Sequence, residues 1–207
     1  IKGTGFAMTK SIVIGLTGCM GAGKSTAVRM IKQMIVPVFD CDDAVHRLMR
    51  ENRDMIALFA RRYSQSVVHG EIDRGVLSAL IDEKQLDVRE LEQMIYPFLE
   101  SELRDFFARH RYEPVVVLDV PLLFEAGWDK FCDKIIVVTA PADVLKKRVF
   151  DRQNMTKEKY DALTDRQLSD EQKRAKADYV VDTRFGKEPV MEKLAEILEE
   201  IKCAKSF

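Results

Sequence analysis

Short, almost wholly apolar runs alternate along the chain with segments whose apolar positions recur every three or four residues. The runs at residues 11–16, 36–39, 115–120, Lys134–Thr139 and 179–181 are rich in Val and Ile, as strands covered on both faces should be. Between the first two, Ala27, Met30, Ile31, Met34 and Ile35 fall on one helical stripe. Val190, Leu194, Ile197, Leu198 and Ile201 repeat that stripe near the end of the chain, with the spacing of a helix that buries one face. Strand and helix in alternation predict an α/β protein with a parallel sheet.

Two segments interrupt the alternation. Residues 44–113 hold no comparable strand and read as mostly helical, with turn signals at His69-Gly70 and Gly75 and a break expected at Pro97. That stretch is too long for a simple crossover, so an inserted subdomain is expected. Residues 143–176 carry ten basic to seven acidic side chains, the composition of a solvated helical face.

Composition narrows the class. At 207 residues, against roughly 150 per domain, one domain with insertions, or one and a half, is expected. Apolar residues make up 46% and charged residues 32%, which excludes a low-complexity chain and allows a sizeable core. A net charge of −1 supplies no global field for nucleic acid or an anionic membrane, so neither partner is expected. Cys19, Cys41, Cys132 and Cys203 lie far apart, without a C-x-x-C pair; reduced thiols in a cytoplasmic protein are expected. No apolar run approaches the roughly 20 residues that span a bilayer. Residues 1–7 precede the first Met and are set aside as an expression scar.

The chemistry concentrates at Gly18-Cys19-Met20-Gly21-Ala22-Gly23-Lys24-Ser25, followed by Thr26, which matches G-x-x-x-x-G-K-[ST]. Glycines let backbone N–H groups turn in around phosphate oxygens, and the next helix offers its positive end. Lys24 then reaches the β- and γ-phosphates, and the Ser25 hydroxyl ligates Mg²⁺. The pattern arises by chance in about 1% of chains this long, and here it follows an apolar strand and opens an amphipathic helix. Asp119 ends the third strand, and together they fit the second element of such sites, an apolar strand ending in a carboxylate near the metal. Only Asn52 and Asn154 are present, neither in a guanine-reading N-K-x-D. Asp119 is followed by Val-Pro-Leu rather than a switch glycine, and no transporter-type signature appears. A small kinase with a lid over its donor remains, and the arginines of 143–176 suit that lid.

From Val38-Phe39-Asp40-Cys41-Asp42 onward, with His46 and Leu48, the chain resembles the dephospho-CoA kinases, P-loop enzymes of the nucleoside-monophosphate-kinase type. Further matches are Ile72-Asp73-Arg74 with Leu77, Leu91-Glu92 with Ile95 and Pro97, and the distinctive Pro121-Leu122-Leu123-Phe124-Glu125. Arg148, Arg152, Thr156, Gln167 and Lys173 with Ala177-Asp178 complete a resemblance covering residues 12–182. It departs at Tyr96, where the family usually has His, and in the loop at Cys19, Met20 and Ala22, where Gly, Ile and Ser are usual. Asp182-Thr183 stands where Asp-Asn is common.

The resemblance implies a three-layer P-loop fold with a five-stranded parallel sheet, a helical acceptor-binding insertion and a helical lid. As one domain over 8–207, its core is 8–43, 114–141 and 177–207, the insertion 44–113 and the lid 142–176. It implies transfer of the ATP γ-phosphate to the ribose 3′-hydroxyl of dephospho-CoA with Mg²⁺, by a monomer or small homo-oligomer. Asp40 is then the base for the hydroxyl proton, with helix capping its alternative role. Lys24 from the loop and Arg148, Arg152 or both from the lid neutralise developing charge; four residues apart, the two arginines are expected to share a helical face and grip the same triphosphate. Asp42, His46, Arg74, Phe124 and Glu125 are the acceptor-side candidates. Kinases of the same fold for another hydroxyl or nucleoside monophosphate, and a non-catalytic nucleotide-binding regulator, remain alternatives.

Overall fold

The computed structural model of the chain describes residues 11–151, 155–165 and 167–204. Strand β1 (Ile12–Gly18), helix α1 (Lys24–Gln33) and strand β2 (Val38–Asp40) come first. A helical region follows, with α2 (Cys41–Glu51), α3 (Arg53–Arg62), the two-residue strands β3 (Val67–Val68) and β4 (Glu71–Ile72), α4 (Arg74–Asp82) and α5 (Val88–Arg109). The chain then forms β5 (Val115–Asp119), β6 (Lys134–Thr139), α6 (Ala142–Phe150), α7 (Lys157–Thr164), α8 (Asp170–Ala175), β7 (Tyr179–Asp182) and α9 (Lys187–Ala204).

All five expected strands enter one parallel sheet, in the order β2-β5-β1-β6-β7. The central strand β1 runs two residues past Leu16, because Thr17 and Gly18 pair with Val137 and Val138 of β6. The second strand starts later than its apolar run. The Val36 N–H bonds back to the Ile31 carbonyl, and Ile35 takes a left-handed φ of 60°, so both residues close α1 instead. Ile35 is therefore 89% exposed, a correction to its place on the buried stripe; Ala27, Met30 and Ile31 keep theirs.

Ile14 and Leu16, Val115 and Val117, and Ile136 and Val138 share one core with α1 and with the whole predicted stripe of α9. On β1 the intervening residue is Gly15, where a Cβ would lie 2.7 Å from Cys132 Sγ and 2.8 Å from a Leu123 methyl. The segment after β5 therefore packs directly on the β1 backbone.

Residues Asp40–Arg109 form a compact unit of their own, beginning and ending four residues before the expected insertion. Its interior is built on Met55, Phe59, Leu77, Leu80, Leu99 and Leu103. Its helices are capped by side chains: Asp40 accepts from the Asp43 N–H, Asn52 from Met55 and Asp73 from Val76. The turn signal at His69-Gly70 is a two-residue hairpin loop with both φ values positive, 52° and 85°, as a tight hairpin of this hand requires. The break expected at Pro97 does not occur: α5 runs through it. Met94, Ile95, Leu99 and Leu103 are buried on either side, and that packing outweighs one missing backbone bond.

The charged segment is also more than a solvated face. α6 buries Leu145 and Val149, and Lys173 on α8 has no exposed surface. Among the described residues no helix is long and apolar enough to cross a membrane.

Candidate active site

The loop Cys19–Gly23 joins the central strand to α1 and is shaped by its glycines. A side chain at Gly18 would strike the Val138 carbonyl at 2.4 Å, and Gly21 holds a φ of 84° under the Leu145 carbonyl. Gly23 is the N-cap of α1, at φ 90°, with no side-chain cap, and no acidic residue lies in the first turn. The loop thus ends on helix N–H groups and their positive dipole, the arrangement that receives phosphate oxygens.

Lys24 opens α1, and its Nζ lies 2.5 Å from Asp119 Oδ1. The topology makes this meeting: β5 lies beside β1, with Leu16 opposite Asp119. Both side chains are largely buried. Ser25, next along the helix, is exposed. Among the described residues no group of three or more His, Cys, Asp or Glu could hold a metal. The Ser25 hydroxyl and Asp119 carboxylate are hard oxygen donors. They fit Mg²⁺, which keeps several waters and takes most of its other ligands from substrate phosphates.

A cavity of about 280 Å³ opens beside the loop, lined by Gly21, Gly23, Thr26, Met30, Arg148 and Val190 among others. Arg148 forms part of its wall. Nη1 donates to Thr183 Oγ1 at 2.7 Å and to the Gly21 carbonyl at 3.3 Å, while Nη2 donates to the Thr183 carbonyl at 3.0 Å. The Thr183 hydroxyl in turn lies 2.8 Å from the Ala22 carbonyl and 3.1 Å from that of Thr139. One buried hydroxyl therefore joins α6, the loop and the ends of β6 and β7. Sequence reasoning missed Thr183 as a site residue, noting it only as a departure from Asn. Beside it, the Arg184 guanidinium holds the Asp182 carboxyl below the usual carboxylate range. α6 stops at Phe150 with Asp151 as its C-cap; Arg152, expected to share a helical face with Arg148, lies outside the described residues.

The segment after β5 presents Phe124 and Glu125. Phe124 is half-buried, with Lys176 Nζ 5.3 Å from its ring centre. Glu125 Oε1 accepts from the Leu168 N–H at 2.8 Å and pairs with Lys173 Nζ at 3.0 Å. The Cys19 thiol donates to the Leu168 carbonyl at 3.8 Å. Burial pushes that thiol's pKa up, against the opposing pull of the Lys173 ammonium.

The remaining acceptor-side candidates lie at the start of, or within, the helical unit. Asp40 ends β2 and caps α2, its Oδ1 accepting from the Asp43 N–H at 3.1 Å. Asp42 stands exposed in the first turn of α2 rather than capping it, and His46, exposed one turn on, is not a buried structural histidine. Arg74 is the exposed first residue of α4, behind its cap Asp73. On the same unit, Arg47 ties α2 to α5 through Glu102 at 2.6 Å.

A family model described as dephospho-CoA kinase matches residues 12–187. A dephospho-CoA kinase of Mesorhizobium japonicum is 41% identical over 193 residues, 92% of this chain and 97% of its own. One from Rhodopseudomonas palustris strain HaA2 is 39% identical over 190 residues, 91% of this chain and 94% of its own. The crystal structure of a Thermus thermophilus protein superposes with a TM-score of 0.78 at 31% identity, covering 92% of this chain and 97% of that one.

Proposed function

The chain belongs to the dephospho-CoA kinase family, and from that premise we propose how its residues move the γ-phosphate of ATP onto the ribose 3′-hydroxyl of dephospho-CoA, giving coenzyme A and ADP. The observation that carries the proposal is the loop at the end of β1, with Lys24 held at Asp119 on the neighbouring strand. Phosphoryl transfer asks a protein mainly for position and positive charge.

Backbone N–H groups of Gly21 to Ser25 hold the phosphate oxygens, and Lys24 follows the charge that develops on them. The cavity walled by Arg148, Met30 and Val190 takes the nucleoside end of ATP. Arg148 is fixed there by three hydrogen bonds, so it serves as a rigid cationic wall rather than a reaching arm. Asp40 accepts the 3′-hydroxyl proton as the new O–P bond forms and the bond to the β-phosphate oxygen breaks. Its support is its place at the carboxyl end of a sheet strand, where open α/β sheets bind ligands. Asp42, His46, Arg74 and Phe124 contact the acceptor. Ser25 and Asp119 would hold Mg²⁺, which when bound would supply positive charge against the phosphate oxygens. The four free, well-separated thiols support a cytoplasmic setting.

A coupled assay for ADP tests the proposal, with Mg-ATP offered to dephospho-CoA, adenosine, nucleoside monophosphates and shikimate in parallel. Turnover confined to dephospho-CoA is expected. Preferred turnover of another acceptor makes the chain a different small-molecule kinase. ATP binding with no transfer to any acceptor makes it a nucleotide-binding regulator.

A further inference from the structure

We propose that Glu125 is a positioning residue: with Lys173 it clamps the stretch from Leu168 to Lys173 onto the phosphate-binding loop, and it acts on turnover through that loop. The clamp is built from groups far apart in sequence. Lys173 has no exposed surface and pairs with Glu125, whose side chain is 13% exposed. A buried ion pair seldom adds net stability over apolar packing, because desolvation offsets its attraction. What it supplies is fixed geometry.

That geometry leads to the loop by two routes. Leu168 donates its N–H to Glu125 and accepts the Cys19 thiol at its carbonyl, so one residue bridges the carboxylate and the first residue of the loop. On the other side, the Pro121 carbonyl accepts from Lys173 Nζ at 3.4 Å and from the fully buried Thr17 hydroxyl at 3.0 Å, one residue before Gly18. A third tie holds the same stretch: the Thr139 hydroxyl donates to Asp170 at 2.6 Å, next to the Ser169–Gln172 capping box. Glu125 Oε1 is therefore committed twice. Its Oε2 is buried without a hydrogen-bond partner among the described residues. A carboxylate so enclosed is poorly placed to meet an incoming hydroxyl and well placed to hold a backbone.

The kinetic half of this inference rests on the proposed reaction; the structural half does not. Glu125→Ala and Lys173→Met are compared with the parent protein by hydrogen exchange and steady-state kinetics, well below each variant's melting temperature. Exchange at residues 168–173 and 19–22 should rise by about tenfold or more in both variants. Turnover should fall by about tenfold or more, with KM for dephospho-CoA within about twofold of the parent. Intact turnover with a raised KM for dephospho-CoA would place Glu125 on the acceptor and overturn the proposal. Unchanged exchange at 19–22 would overturn it as well. If the parent protein makes no coenzyme A but the exchange coupling is present, the reaction assignment falls and the clamp stands. Should Glu125→Ala not fold, Glu125→Gln supports the same measurements, since it keeps an acceptor for Leu168 but strands the Lys173 charge.

Discussion

Lys24 and Asp119 meet although 95 residues separate them, because the sheet lays β5 beside β1. The ammonium proposed to follow the transferring phosphate is thus held by the carboxylate proposed for the metal, and altering either group should alter the other's work. Lys24→Ala should abolish transfer to dephospho-CoA. Asp119→Asn should lower kcat by about tenfold to a hundredfold and raise the Mg²⁺ concentration for half-maximal rate. Steady-state rates across a magnesium titration check both; a normal Mg²⁺ midpoint in Asp119→Asn would remove that residue from the metal site.

Two substitutions separate the cap that Asp40 forms from the base role proposed for it. Asn is as good a helix N-cap as Asp, so Asp40→Asn should melt with the parent protein, bind ATP normally and lose about a hundredfold or more in kcat. Asp40→Ala should lose the cap too, about 1 kcal/mol, or roughly 2–4 °C in a chain of this size. Near-normal turnover in Asp40→Asn would leave Asp40 as a cap alone.

Thr183→Val replaces one hydroxyl with a methyl of nearly equal volume; Arg148 Nη1 loses its shorter acceptor and one of two neighbouring carbonyls loses a donor. The cost should be about 1–3 kcal/mol of stability. KM for ATP should rise while that for dephospho-CoA holds, as calorimetry and initial rates can show. Equal rises in both would mean that Arg148 does not act on the nucleotide.

Burial pushes the Cys132 thiol up to about 12 from an ordinary value of 9.0. Below pH 9 both folded and unfolded chains keep this proton, so the contribution to stability is complete. As pH rises from 9 toward 12, the unfolded chain loses the proton first and stability falls. Cys132→Ala should flatten the alkaline limb of a urea-midpoint-against-pH curve. In the intact protein at pH 8, Cys203, the exposed thiol, should alkylate first and Cys132 last, as peptide mass mapping would report.

The sheet and the nucleotide loop were legible because their signals are local. A strand buried on both faces is apolar at every position, and a loop that wraps phosphate needs its glycines and lysine at fixed spacing. Other features depend on residues from distant elements. Lys173 looks like any lysine of a charged helix until Glu125 arrives from the turn after β5. Thr183 becomes a junction only when β6, β7, α6 and the loop converge. Local rules also misled where packing or backbone closure prevailed. Pro97 marks a break in a solvated helix but not in one anchored by buried residues on both sides, and Ile35 leaves its stripe because α1 closes in a left-handed turn.

The uneven capping of the helices has a consequence for the protein's life in a cell. α2, α3, α4 and α8 begin on Asp40, Asn52, Asp73 and Ser169, each bonded to its own first turn. α1 begins on a bare glycine. A cap is worth about 1 kcal/mol, and phosphate bound at the loop would take its place. Folding is then linked to nucleotide supply, by about 2.7 kcal/mol at a hundred times the dissociation constant. In starved cells, a falling ATP level would lower the melting point of this chain and expose it to proteases, so energy shortage would reduce the amount of enzyme as well as its rate.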